Sequence, residues 1–259
     1  MLDAILLGLI EGLTEFLPIS STGHLLIAEH WLGRRSDLFN VVIQAGAILA
    51  VTLVYRQRLV ELATGWHKPE LRDYVLKLGV AFVVTAVLGL LAKKLGAELP
   101  ETVAPVAAAL IIGGVGIFIV EAWAKRQPLR ERIGWHLPFA VGAAQVLAGS
   151  FPGTSRSAAA IFIAMLAGLT DRKKAAEFAF LVGIPTMFAA SGYEVLKLAL
   201  NDGLGSEPWA ELIVGFAVSA AVGFAAVKWL LKFISAHSYN VFAIYRIALG
   251  VVLLILLPA

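Results

Sequence analysis

The stretch Glu11-Gly-Leu-Thr-Glu-Phe-Leu-Pro-Ile-Ser-Ser-Thr-Gly-His24 decides how this chain is read. It holds two carboxylates, a run of hydroxyls and an imidazole, yet apolar sequence flanks it from Ala4 to Ile10 and from Leu25 to Ala28. Around it, 59% of the 259 residues are hydrophobic and 15% are charged. Soluble domains hold about 45–50% apolar and about 25% charged residues, so the composition excludes that class and points to an integral helical membrane protein. Ionisable groups inside such a protein are costly and usually functional.

Working outward, six apolar stretches have the length to cross a bilayer: Phe39–Tyr55, Tyr74–Leu91, Val103–Trp123, Ala176–Ala199, Ala210–Leu231 and Val241–Leu257. Trp66, Trp123, Trp135, Trp209 and Trp229 lie near their ends, as interface anchors do. Two regions break the pattern. Leu2–Leu17 and Trp135–Gly149 run into Pro18 and Pro152, then into the short pieces Gly23–Leu32 and Ala158–Leu169. At 1.5 Å per residue each piece spans only about 15–18 Å, too little to cross. Each pair therefore reads as a re-entrant helical hairpin, tolerated where broken backbone lines a polar cavity.

A shift of 134 residues lays Gly8 on Gly142, Glu11 on Gln145, Pro18 on Pro152, Ser20 on Thr154 and Ser21 on Ser155. The expected fold is thus an all-α polytopic membrane protein: six transmembrane helices, two re-entrant helical hairpins and an inverted-topology repeat. It forms one integral membrane domain over residues 1–259, with repeats at about 1–123 and 124–259. Twelve Lys or Arg lie on the side of the 56–73, 124–134, 170–175 and 232–240 segments, against five on the other. The positive-inside rule makes the first side cytoplasmic and turns both termini outward. No removable signal peptide is expected, and the absence of cysteine excludes disulfides and thiolate metal sites.

Glu11 and Glu15 stack one turn apart on a helix face, with no Lys or Arg in the stretch. A hard divalent cation with oxygen ligands, or a shared proton, would relieve their repulsion. Pro18 to His24 stops one helix and starts another, and a fresh helix N-terminus favours anions. The stretch Gly149-Ser-Phe-Pro-Gly-Thr-Ser-Arg-Ser157 offers a second helix start with hydroxyls and one guanidinium. Arg156 suits phosphate oxygens bidentately; its bland reading is an ion pair with Glu11 or Glu15. Arg246 reads mainly as structural, Glu121, Glu177 and Glu194 as interfacial, and Gln44 as a bond between helices with Gly46 permitting close approach.

Glu11-x-x-x-Glu15, Pro18-Ile-Ser-Ser-Thr-Gly-His24, Phe39-Asn-Val-Val-Ile-Gln-Ala-Gly46, Pro152-Gly-Thr-Ser-Arg-Ser157 and Tyr245-Arg246 resemble the undecaprenyl-diphosphatase family of bacitracin-resistance membrane phosphatases. The resemblance covers essentially the whole chain. It implies hydrolysis of a C55 polyprenyl diphosphate to the monophosphate carrier lipid and inorganic phosphate, with magnesium or calcium as cofactor. The expected location is the bacterial inner membrane, with both termini and the site toward the periplasm. By position the acids and metal ligands are Glu11 and Glu15, with Ser21, His24 and Arg156 also catalytic. Ser20, Thr154, Ser155, Arg156 and Ser157 would bind phosphate. The family often carries Thr four residues after the arginine, where this chain has Ala160.

Phosphoryl transfer is mostly positioning and electrostatics, which these groups can supply. Attack by Ser21 or by His24, or by a water that His24 activates, stays open at this level. The expected partners are the lipid substrate and membrane lipids, with no nucleic acid and with a homodimer allowed. The rival reading is a polyprenyl-phosphate flippase or another inverted-repeat transporter.

Overall fold

The computed structural model describes residues 1–97, 102–201 and 208–256. Among these the chain is entirely helical, in eleven helices. They are α1 (Leu2–Thr14), α2 (Ser21–Leu32), α3 (Asp37–Val54), α4 (Arg56–Thr64), α5 (Pro69–Lys94), α6 (Val103–Ala124), α7 (His136–Ser150), α8 (Arg156–Leu166), α9 (Arg172–Asn201), α10 (Trp209–Ile234) and α11 (Asn240–Leu256). Five of them, α3, α5, α6, α9 and α10, are long and apolar enough to cross a membrane. The sixth expected span, α11, is 17 residues among those described; the expected end at Leu257 lies outside the described residues. The short α4 was not expected. It is a polar helix that tucks Leu62 inward and sends Arg58 to Glu61 and Glu177.

Both breaks fall where proline removes a helical donor. Pro18 has no N–H for the carbonyl of Thr14, and Pro152 none for that of Ala148. Each helix restarts at a serine. Ser20 (φ 72°) and Ser155 (φ 71°) hold a backbone region that costs a non-glycine residue about 1–3 kcal/mol. Each offsets part of that cost by capping the new helix: Ser20 Oγ accepts from Gly23 N and Ser155 Oγ from Ala158 N. The geometry therefore matches Ser20 to Ser155, a shift of 135 rather than the expected 134. The second break contains one more residue between its proline and its serine, and Gly153 at φ 90° takes up the extra length.

Packing interleaves the two ends of the chain. Helix α1 lies along α10 and α7 along α5, while α3 packs on α10 and α6 on α11. Close approach is built in at Gly8, where a Cβ would stand 2.5 Å from the Gly215 carbonyl oxygen. The largest core cluster joins α8 and α9 to α3, α10 and α11 through Ile48, Ile161, Met165, Phe178, Phe180, Leu230 and Phe242. It anchors the base of both breaks and leaves their tips facing each other.

Candidate active site

The tips of the two breaks meet around Glu15. Its Oε2 accepts from Ser21 Oγ at 2.5 Å, and its Oε1 accepts from Arg156 Nη2 at 3.0 Å. Carboxylate, hydroxyl and guanidinium, 141 residues apart at the extremes, thus form one constellation. The ion pair expected for Arg156 exists, and its partner is Glu15. A cavity of about 340 Å³ opens beside it, lined by Glu15, Ser20, Ser21 and Thr22 from the first break and Pro152, Gly153, Ser155 and Arg156 from the second, with Gln44 from α3. The N-termini of α2 and α8 both border this cavity, so their unpaired N–H groups and dipoles favour an anion there.

Not every expected ligand reaches that cavity. Ser157 Oγ turns away to the carbonyls of Glu15 and Leu17 and to Ser155 Oγ, tying the second break to the first. Thr154 gives its carbonyl to Arg246, and neither residue lines the anion cavity. Ala160 borders a separate void of about 30 Å³ beside Glu15, Arg156 and Ser157.

His24 is tied at both ring nitrogens, and neither contact is to Ser21. Its Nδ1 donates to the Ser20 carbonyl at 2.7 Å, because a carbonyl can only accept. That leaves Nε2 to accept from Tyr245 Oη, also at 2.7 Å, with the two rings stacked. Both nitrogens are engaged, and the residue that touches the Ser21 hydroxyl is Glu15. Glu11 is the opposite case: it is 1% exposed, and both carboxylate oxygens are buried without a hydrogen-bond partner. An orphaned buried carboxylate fits a cation, and among the described residues no three acidic or histidine side chains gather into a cage.

The structural role expected of Arg246 holds, and it reaches both breaks. It is fully buried and spends all five N–H donors on backbone carbonyls: Pro18 of the first break, Gly153 and Thr154 of the second, and Ala109 and Leu110 of α6. One guanidinium therefore fixes both tips to the same helix. Gly113 makes room for it, since a Cβ there would collide with the guanidinium nitrogen Nη2. Glu121, in the last turn of α6, is 1% exposed and accepts from Arg172 through both oxygens and from Tyr239 N. Gln44 borders the cavities, while Gly46 does permit the α3–α10 approach. Arg246 stands out in the sequence as an always-charged residue inside an apolar run; its acceptors are backbone groups that no side-chain pattern reveals.

What this fold and site define is a multi-pass helical membrane protein with a candidate anion site assembled on two broken helices. The chain belongs to the bacitracin resistance protein BacA family, whose model matches residues 4–252. It is 60% identical over 259 residues to proteins named undecaprenyl-diphosphatase from Xanthomonas campestris pv. campestris (strain 8004) and Xanthomonas oryzae pv. oryzae (strain PXO99A), covering 100% of this chain and 98% of each relative. The undecaprenyl-diphosphatase of Rhizobium etli is 60% identical over 253 residues, covering 98% of this chain and 96% of that protein.

Proposed function

We propose that this protein hydrolyses undecaprenyl diphosphate to undecaprenyl phosphate and inorganic phosphate, returning the carrier lipid to cell-wall synthesis and conferring bacitracin resistance. The observation that carries the reading is Ser21 donating to Glu15 while Arg156 pairs with the same carboxylate at the mouth of an anion cavity. Family membership and the name shared by relatives at 60% identity support it.

Ser21 Oγ attacks the terminal phosphorus as its proton passes to Glu15. The bond to the bridging oxygen breaks and undecaprenyl phosphate leaves. Water then attacks the phosphoserine, the proton returns to Ser21, and inorganic phosphate departs. Arg156, joined to Glu15 through one N–H, turns its remaining donors to the non-bridging oxygens. The N–H groups at the starts of α2 and α8 add neutral donors around the developing charge. His24 and Tyr245 steady the first break through the Ser20 carbonyl. A magnesium or calcium ion, held at Glu11 beside Glu15, would offset the charge of the diphosphate. Glu15, Ser21 and Arg156 come from one polypeptide, so this chemistry calls on no second copy of the chain.

The same reading extends to the membrane. Helix α11 is the sixth span, α1–α2 and α7–α8 are the two re-entrant hairpins, and the halves about 1–123 and 124–259 form an inverted repeat within one domain. The interleaved packing of α1 on α10 and α7 on α5 supports that pairing. Loop charge supports an inner-membrane orientation with both termini and the site toward the periplasm.

The test is release of phosphate from undecaprenyl diphosphate by the purified protein with cation present, followed by fast quench on labelled substrate. We expect phosphate on Ser21 and a loss of about 10²–10⁴ in kcat for Glu15→Gln. Failure to release phosphate from any polyprenyl diphosphate would end the enzyme reading. Turnover by Ser21→Ala at the parent rate would move the attack to water.

A further inference from the structure

A second cavity, of about 180 Å³, lies against the first and shares Ser21, Thr22 and Gln44 with it. Its charge is of the opposite sign. Glu11 and Glu29 line it together with Asn40 and Gln44, and no Lys, Arg or His does. The neighbouring anion cavity has Arg156 instead.

Two features mark this cavity as built for a ligand. Glu11 is buried with both oxygens unpartnered, although it faces a space lined by groups that could have supplied a donor. Unpaired buried charge is not retained without compensation. Glu29, from the first returning helix, is held in place by Asn40 Nδ2 of α3, which donates to its Oε1 at 3.0 Å, and Asn40 Oδ1 is itself buried with no partner. Oriented carboxylates backed by an amide donor are how proteins present oxygen ligands to an ion. Glu15 is poorly placed to serve as the second ligand, since Ser21 and Arg156 already engage both of its oxygens.

We propose that Glu11 and Glu29, supported by the amides of Asn40 and Gln44, form a site for a divalent cation of the magnesium or calcium class. The site lies across the wall of Ser21, Thr22 and Gln44 from Arg156. Two carboxylates and amide oxygens make an incomplete shell, the pattern of a cation that finishes its coordination with waters and substrate phosphate. The two adjoining cavities then hold a metal and a phosphate side by side, with Ser21 between them. Only the ion's role toward a diphosphate rests on the function proposed above; its binding does not.

The experiment is titration of the full-length protein in detergent with Mn²⁺ alone, followed by loss of the free-ion electron paramagnetic resonance signal, with Mg²⁺ and Ca²⁺ as competitors. The wild type is expected to take up one ion that both competitors displace. Glu29→Gln and Asn40→Ala, at positions only half-buried, should each weaken binding about 10–100-fold without moving the thermal midpoint. Glu15→Gln should bind within about threefold of wild type. No binding would mean that Glu11 carries a proton instead, and wild-type affinity in Glu29→Gln would remove that ligand; either overturns the proposal. So would equal loss in Glu15→Gln and Glu29→Gln. Metal uptake by a protein that releases no phosphate from undecaprenyl diphosphate would leave this site standing and remove the enzyme reading. Turnover with no metal uptake would do the reverse.

Discussion

Replacing Arg246 by lysine keeps the charge and removes the fork. The guanidinium donates to five carbonyls at 3.0–3.3 Å, and an ammonium has three donors on one point. At least two buried carbonyls therefore lose their partner, at about 1–3 kcal/mol each, or about 2–6 kcal/mol together. If the structure holds its shape, that cost appears as a thermal midpoint lower by at least about 5 °C for a chain of this size. If the tips relax instead, Ser21 and Arg156 lose their alignment, and a displacement near 1 Å costs on the order of 10² in kcat. Thermal unfolding in detergent, followed by near-ultraviolet circular dichroism, and steady-state phosphate release measure the two channels. An Arg246→Lys protein with the parent midpoint and the parent kcat would refute the claim that this fork sets both breaks.

Gly113→Ala approaches the same device from the other side: the added Cβ meets the Arg246 guanidinium, so kcat should fall at least tenfold (about 1.4 kcal/mol or more), and unchanged turnover would show that the arginine has slack. Tyr245→Phe removes the donor to His24 Nε2, worth about 1 kcal/mol or roughly fivefold in kcat. Parent activity there, with complete loss in His24→Ala, would show that His24 acts without Tyr245. Glu121→Gln leaves Arg172, still partly solvated, without its carboxylate; about 1–3 kcal/mol should be lost, read as a lower midpoint in thermal scans with turnover preserved.

Much of the molecule could be read before any coordinates, because its determinants are local. Pro18 and Pro152 each remove a helical donor next to a run of glycine and hydroxyl residues, unlike Pro185, which α9 carries in its interior. An apolar run near twenty residues states its own length requirement. The expected spans accordingly lie within a few residues of α3, α5, α6, α9, α10 and α11. Glu11, Glu15, Ser21 and Arg156 were visible because ionisable and hydroxyl groups stand out against apolar sequence. The one-residue slip between the breaks was not visible. Matching the prolines hides a glycine whose positive φ only the folded backbone displays.

Everything decided at long range belonged to the tertiary structure. Glu121 and Glu177 look like span-end charges until Arg172 and Arg58 fold onto them. The second nitrogen of His24 is engaged by Tyr245, 221 residues away. The opening stretch, Glu11 to His24, shows the division most plainly. Its composition dictated a break between two helices carrying acids and hydroxyls. Which acid holds Ser21 and which is left without a partner depended on where Arg156 arrives, since a charge can be paired only by a group that folding brings within hydrogen-bond reach.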